Sequence, residues 1–170
     1  PPTVTPLEGI RATVADGTEI LHERGCGILS EDPSGLSAAI EAARNADTAV
    51  VFVGGRSGLM PGCTSGEFRD AAHLGLTGLQ QRLIDEVVAT GTPTVVALVN
   101  GRAFALPEAA QSVPALLECW IPGEEGGNGI ADVLFGKVSP SGRLPVTLPR
   151  DVGQVPLYYN RKWSERDTIG

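Results

Sequence analysis

The sequence predicts an α/β fold in which helices flank both faces of a mostly parallel sheet, an α/β sandwich with flavodoxin-like layering. Two continuous apolar runs, 48–53 and 94–99, are typical of strands buried on both faces of a parallel sheet. Between them, segment 77–90 carries apolar residues at i, i+4 and i+8, which is helical spacing. Because strand-like and helix-like segments also alternate along the rest of the chain, we expect right-handed crossovers between parallel strands.

The first helix is predicted over 5–14. Thr5 is a suitable N-cap, Pro6 suits the first turn, and Glu8 stands three residues after the cap, as in a capping box. A short strand is predicted next, over 18–22.

The second helix is predicted over 34–45, because four alanines at helical spacing provide a face for close packing. These residues are Ala38, Ala39, Ala42 and Ala43. The third helix, over 77–90, is expected to end at Gly91, since glycine readily adopts the left-handed conformation that terminates helices.

The last third of the chain continues the alternation. A short strand is predicted over 115–119 and a helix over 127–135, ended by Gly136. A final short strand is predicted over 144–148, directly before Pro149.

Length and composition fit a single globular domain. The chain has 170 residues, of which 42% are hydrophobic and 19% are charged. The α/β-sandwich domain is expected over 1–150. Segment 151–170 has no clear periodicity, and we expect it to be an extended segment that leads to a following domain absent from the chain.

Charge and cysteine usage exclude several kinds of partner and cofactor. The formal net charge of -7 argues against nucleic acid, whose phosphates need a basic surface. No apolar run approaches the ~20 residues of a membrane-spanning helix, so no membrane partner is expected. Cys26, Cys63 and Cys119 form no C-x-x-C pair, so neither a metal site nor a cofactor is predicted.

Two glycine-rich segments, 54–73 and 121–128, interrupt the alternation of strands and helices. Both follow buried strands, and in an open parallel sheet such loops form the functional edge. The segment 53–58 has the spacing G-G-x-x-G and does not open into a helix, so it does not match a dinucleotide-binding fingerprint. A P-loop is excluded because no G-K-[ST] follows.

The segment 64–70 places two carboxylates and a guanidinium group within four positions. One interpretation is a solvated charge cluster, or Asp70 capping a following turn. The other is that Glu67 lies in a partly buried cleft, in a loop that an ion pair between Arg69 and Asp70 holds closed. A partly buried carboxyl group has a raised pKa, which suits a general acid near neutral pH.

The remaining polar candidates indicate no other class of enzyme. The two histidines are isolated, and neither serine of this region lies in a G-x-S-x-G elbow, so a serine hydrolase is disfavoured. The paired glutamates before the last helix suit a helix N-terminus. These residues are His22, His73, Ser57, Ser65, Glu124 and Glu125.

Taken together, several segments resemble the second domain of family-three β-glycosidases, in family order and over nearly the whole chain. The block around Ser65-Gly66-Glu67 looks like the catalytic loop of that family, and Trp120-Ile-Pro-Gly-Glu-Glu-Gly-Gly resembles a second signature. The matching segments are 4–11, 25–26, 55–70, 74–80, 120–136, 139–149 and 156–162.

The resemblance implies a retaining β-glucosidase or β-xylosidase acting on an oligosaccharide or aryl β-glycoside. In such enzymes an Asp nucleophile comes from an N-terminal barrel domain, here an expected partner, and a Glu from the second domain is the acid/base. By motif position that Glu is similar to Glu67. Arg56, Ser57 and Asp70 are the candidates for contacting sugar hydroxyls or orienting Glu67.

The same resemblance leaves other features to be decided by structure. Many relatives have Gly where this chain has Phe68, and Phe68 and Trp163 are candidates for an aromatic face against the sugar. We expect Glu67 at the mouth of a cleft, near 54–58 and Trp120. The alternative is a non-catalytic scaffold or carbohydrate-binding domain that caps a partner barrel. An exposed apolar surface would mark where the barrel docks, and it would favour a homodimer in isolation.

Overall fold

The structure, a computed structural model, describes residues 2–106 and 112–160. In this part of the chain the sheet contains three parallel strands. The strands are β1 (Ala49–Gly54), β2 (Thr94–Val99) and β3 (Ala115–Trp120), in the order β1-β2-β3. Ala49 lies opposite Thr94, and the ladder between β2 and β3 shifts register between Leu98 and Val99. The central strand β2 is therefore paired along both sides.

Four α-helices accompany this sheet within the described ranges, which confirms the predicted α/β sandwich with a parallel sheet. The helices are α1 (Pro6–Thr13), α2 (Leu36–Arg44), α3 (Gln80–Val88) and α4 (Gly126–Leu134). A short 3₁₀ turn, Val152–Gln154, follows near the end of the described chain.

The main core lies between the sheet and the helices α2 and α3. Alternate residues of β1 and β2 point into it, as expected for pleated strands. Its members include Val51, Val53, Val96, Leu98, Leu36, Leu83, Ile84, Val87 and Phe104. The predicted alanine face of α2 is corrected at one position: Ala38 is exposed, and Leu36 is buried in its place.

Helix ends follow local chemistry closely. The Thr5 hydroxyl accepts from the Glu8 N–H at 3.3 Å, and the Glu8 carboxylate accepts from the Thr5 N–H at 2.7 Å, which confirms the capping box. Helix α3 begins three residues later than predicted. The Thr77 hydroxyl donates to the Ile28 carbonyl at 2.6 Å, and Gly78 has a φ of 58°, so the chain is not yet helical there.

Two predicted strands are wrong. Segments 18–22 and 144–148 pair with no strand among the described residues. Leu21, Leu144 and Val146 are exposed, so these segments lack both a hydrogen-bonding neighbour and a packed face. Strand-like composition needs a ladder partner to become a strand.

Helices α1 and α4 pack through a contact between glycines. A Cβ atom on Gly9 would lie 2.1 Å from the Gly127 carbonyl oxygen, and one on Gly127 would lie 2.1 Å from the Thr5 carbonyl oxygen. Backbone hydrogen bonds join the same segments: the Val4 N–H donates to the Glu124 carbonyl at 2.8 Å, and the Gly127 N–H donates to the Val4 carbonyl at 3.0 Å. Only residues without a side chain permit this approach.

The segment after residue 150 begins with the 3₁₀ turn, which Asp151 caps by accepting from the Gly153 N–H at 2.7 Å. Residues 161–170 lie outside the described part, so the division at residue 150 stays a prediction. No helix in residues 2–106 and 112–160 is both long and apolar enough to cross a membrane.

Replacing Gly127 with Ala is expected to destabilise the domain by about 1–3 kcal/mol, because the added methyl group overlaps the Thr5 carbonyl. The measurement is thermal unfolding, where ~1 kcal/mol corresponds to about 2–4 °C for a domain of this size. Gly129→Ala, in the same helix but with open space around its Cβ, is the matched control and should be neutral or stabilising by up to about 1 kcal/mol. Equal melting temperatures for the two variants would contradict the packing described for α1 and α4.

Candidate active site

The predicted catalytic loop leaves the sheet at its carboxyl edge. Because the three strands are parallel, they all end at this edge, at Gly54, Val99 and Trp120. The chain after each of them therefore begins there, as expected for the functional edge of an open parallel sheet.

A buried glutamine fixes the point where the chain leaves β1. Gln80, 3% exposed, accepts from the Gly54 N–H at 2.7 Å and donates to the Gly54 carbonyl at 2.9 Å. Its amide also donates to the Ile28 carbonyl at 3.2 Å. One side chain thus satisfies both backbone groups of the last residue of β1, which orients the loop that follows.

The loop then folds back on itself. The Thr64 N–H donates to the Arg56 carbonyl at 2.7 Å, and the Arg56 N–H donates to the Thr64 hydroxyl at 3.0 Å. The Gly58 N–H donates to the Ser65 carbonyl at 3.0 Å. A Cβ atom on Gly101 would lie about 3 Å from the side chains of Ser57 and Ser65, so the loop after β2 packs closely against this closed loop.

Glu67 occupies a tight turn just beyond the closed loop. The Arg69 N–H donates to the Gly66 carbonyl at 3.2 Å, which places Glu67 and Phe68 at the two central positions of a β-turn. Phe68 has a φ of 59°, a conformation that is strained for a bulky residue. Both side chains are exposed, and Phe68 is 82% exposed.

The Arg69 guanidinium group holds this turn against the rest of the loop. It donates to the Phe68 carbonyl at 3.1 Å and to the carbonyls of Leu59 and Met60 at 2.9 and 3.4 Å. The predicted ion pair between Arg69 and Asp70 is wrong, because the guanidinium donates to backbone carbonyls and Asp70 remains exposed.

A relay of hydrogen bonds joins Arg69 to the sheet. The Arg102 guanidinium donates to the Arg69 carbonyl, and the Asn100 amide donates to the Arg102 carbonyl at 2.6 Å. Asn100, 1% exposed, donates its own N–H to the Trp120 carbonyl at 3.0 Å. The ends of β2 and β3 are thereby connected to the turn that carries Glu67.

The structure brings some of the predicted site residues together. Arg56 and Ser57 lie in the closed loop, on the same edge as Glu67, and Asp70 follows the turn. All four side chains are exposed, and Glu67 lines neither of two cavities of about 290 and 220 Å³ in the described part. Glu67 is thus on the expected edge but lines neither of these two cavities. Trp163 lies outside the described residues, and the roles of all these residues stay predictions.

Glu118 is the titratable group that burial perturbs at this edge. One oxygen accepts from the Trp120 N–H at 3.0 Å, while its other oxygen is buried without a hydrogen-bond partner. Burial raises the pKa of Glu118, and the hydrogen bond from the Trp120 N–H partly opposes that rise. Asn100 Oδ1 is also buried and unpartnered, so a neutral Glu118 suits this environment.

Burial also acts on the neighbouring thiol, raising the pKa of Cys119 to about 11, with the charge of Glu118 contributing. A thiol in this state is a poor nucleophile and a poor metal ligand. Within residues 2–106 and 112–160, no group of three or more His, Cys, Asp or Glu side chains is arranged to hold a metal ion.

Comparison with known proteins agrees with the motifs on this edge. The model of the Glycosyl hydrolase family 3 C-terminal domain matches residues 1–169. The chain belongs to this family. The family 3 domain is 39% identical over 156 residues to a β-xylosidase of Formosa agariphila, covering 92% of the chain and 21% of that relative. It is also 39% identical over 178 residues to a periplasmic β-glucosidase of Salmonella typhimurium, covering 93% of the chain and 23% of the relative.

Solved structures give the same result. A β-glucosidase from Erythrobacter marinus superposes with a TM-score of 0.80 at 34% identity, over 95% of the family 3 domain and 25% of that chain. A β-glucosidase from Listeria innocua in complex with isofagomine has a TM-score of 0.80 at 32% identity, over 94% and 21%. The family 3 domain therefore spans roughly a fifth to a quarter of the relatives it matches.

Sequence reasoning missed the residues that shape the edge. Gln80, Asn100 and Arg102 lie far along the chain from the turn they support, and no local spacing marks them. The sequence points to Arg69 only as the ion-pair partner of Asp70. A hydrogen bond to a backbone carbonyl leaves no trace in side-chain pattern, because every residue offers that acceptor.

Glu118→Gln should stabilise the protein relative to wild type at neutral pH, and the difference should shrink on acidification. The pKa of Glu118 is raised in the fold, so its neutral form is the favoured one. Wild type therefore loses stability as pH rises from the unfolded value, about 4.3, through the raised folded value. Glutamine stays neutral throughout. Thermal melts between about pH 4 and 8 measure the difference.

Glu23→Gln, at an exposed position, is the control for this pH series. Its difference from wild type should stay nearly constant. A Glu118→Gln difference that is flat with pH, or that grows on acidification, would show that Glu118 is as easily ionised in the fold as in the unfolded chain.

Proposed function

We propose that this chain is the second domain of a retaining β-glycosidase and that Glu67 is its general acid/base. Two observations support the proposal: the family match covers residues 1–169, and Glu67 stands exposed at the tip of a turn on the carboxyl edge of the sheet. The relatives named β-xylosidase and β-glucosidase make terminal β-D-xylosyl or β-D-glucosyl residues the proposed substrate class.

The proposed reaction is a double displacement. An Asp carboxylate on a barrel domain attacks the anomeric carbon while Glu67 gives its proton to the departing glycosidic oxygen. The ionised Glu67 then takes a proton from water as that water attacks the same carbon and releases the nucleophile. Both steps need the two carboxyl groups about 5–5.5 Å apart, so the barrel must lie directly against the turn.

An apolar surface beside Glu67 supports such a partner. Leu59, Met60 and Phe68 are 62%, 71% and 82% exposed, and the Arg69 guanidinium joins their backbones. We call these three residues the edge patch. Exposed apolar side chains grouped in this way mark a contact surface. The proposed barrel would cover the edge patch and bury Glu67, which is exposed in the described part of the chain.

The exposure of Glu67 also fits the alternative, a non-catalytic scaffold or carbohydrate-binding domain. In that case the edge patch would still dock against a barrel, but the carboxylate would take no part in chemistry. Kinetics of a Glu67 variant separate the two, since only the catalytic role ties Glu67 to the leaving group.

The chain by itself is expected not to hydrolyse aryl β-glucosides or aryl β-xylosides, because the proposed nucleophile is on the barrel. The measurement is release of the aryl group by purified protein at high concentration. Turnover at a rate typical of glycosidases would place both catalytic groups within these 170 residues and would end the proposed division of labour.

In the polypeptide that joins this chain to its barrel, Glu67→Gln should lower kcat/KM for an alkyl β-glycoside by about 10²–10⁴-fold, since the amide donates no proton to the leaving oxygen. A dinitrophenyl glycoside needs little protonation and should lose far less. Added azide should restore turnover of the dinitrophenyl substrate as a glycosyl azide. Glu23→Gln, exposed and outside the loop that carries Glu67, is the control. Unchanged kinetics for Glu67→Gln would favour the scaffold.

A further inference from the structure

We infer that Arg69 is the positioning residue of Glu67: its guanidinium group fixes the turn that carries the candidate acid/base. This inference rests on the proposed function of Glu67. It adds Arg69 to Asp70, Arg56 and Ser57, the residues that the sequence suggests for orienting the carboxyl group.

Arg69 holds the backbone on both sides of Glu67. Its N–H binds the carbonyl of Gly66, the residue before Glu67, at 3.2 Å. Its guanidinium binds the carbonyl of Phe68, the residue after Glu67, at 3.1 Å. The backbone of Glu67 is therefore held from both neighbours by one residue, and the direction of its Cα–Cβ bond is set by those two bonds.

The backbone of the turn is strained at Phe68. Phe68 has a φ of 59°, which a bulky side chain adopts only when its surroundings impose it. The hydrogen bond from Arg69 to the Phe68 carbonyl is the contact that acts directly on this peptide unit. Without that bond, the turn is free to relax toward an unstrained conformation, and the Glu67 carboxyl would move with it.

Arg69 is itself anchored through its guanidinium group and through its carbonyl. Its guanidinium also binds the carbonyls of Leu59 and Met60, across the closed loop. Its carbonyl accepts from Arg102, which the buried Asn100 holds at the end of β2. The position of the turn is thus tied to the carboxyl end of the sheet.

The guanidinium group of Arg69 suits this role because of its shape. The planar guanidinium group offers several donors in a fixed fork, so it reaches carbonyls of three different residues at once. A lysine ammonium group at the same place has the charge but not the fork. Arg69→Lys therefore removes the geometry while keeping the charge.

The test measures kcat/KM, which reports on the step that needs the acid, in the polypeptide joining this chain to its barrel. Arg69→Lys is expected to lower kcat/KM for an alkyl β-glycoside about 10- to 100-fold, as displacement of a catalytic group by roughly 1 Å does. For the dinitrophenyl glycoside of the same sugar the loss should be under about threefold, because that leaving group needs little protonation. Arg44→Lys, in an exposed ion pair on α2, is the matched control and should leave both values unchanged.

Each other outcome has one meaning. Equal losses on the two substrates would make Arg69 merely structural and would overturn the inference. Activity like that of Arg44→Lys would also overturn it. Glu67→Gln, assayed beside it, tests the proposed function separately: if Glu67→Gln shows no dependence on the leaving group, the assignment of Glu67 fails first. If Arg69→Lys does not fold, Arg102→Lys, which leaves the Arg69 fork intact, should show the same pattern at smaller size.

Discussion

The pair of hydrogen bonds between Gln80 and Gly54 is the constraint on which the carboxyl edge depends. Gly54 has a φ of 143°, and a Cβ atom there would lie 2.1 Å from the Val99 carbonyl oxygen, so no other residue fits between β1 and β2. Gly54 lies opposite Val99 in the ladder between β1 and β2, and the Gln80 amide binds both its N–H and its carbonyl. Because Gln80 opens α3, the helix, the strand and the loop share one fixed joint.

Beyond that joint, side chains that bind backbone groups shape the edge. Thr64, Arg69, Asn100 and Arg102 each bind main-chain atoms of a neighbouring segment. This keeps the carboxylate of Glu67 free of competing partners while its backbone is held. Under the proposed function, this domain orients the carboxyl group of Glu67, and the barrel domain buries it.

Much of the fold was predictable because it follows from local pattern. The apolar runs of β1 and β2 and the capping box at Thr5 each depend on residues within a few positions. Segments 18–22 and 144–148 have the same local character as strands but lack a neighbouring strand, and only three-dimensional structure reveals that. The sequence correctly predicts that the loop with Glu67 leaves the carboxyl edge of the sheet. Its support by Arg69 and Arg102 was not predictable, since the acceptors are carbonyls with no sequence signature.

The contact of Gly9 with Gly127 has a mechanical consequence. It joins the first helix to the helix after the last strand, so two helices far apart in the chain are tied to each other directly. A force applied near Val4 would therefore load α4 in shear before it reached β1. Motions entering through the first residues would meet this helix pair first and would reach the carboxyl edge through the short segment between Glu124 and Trp120.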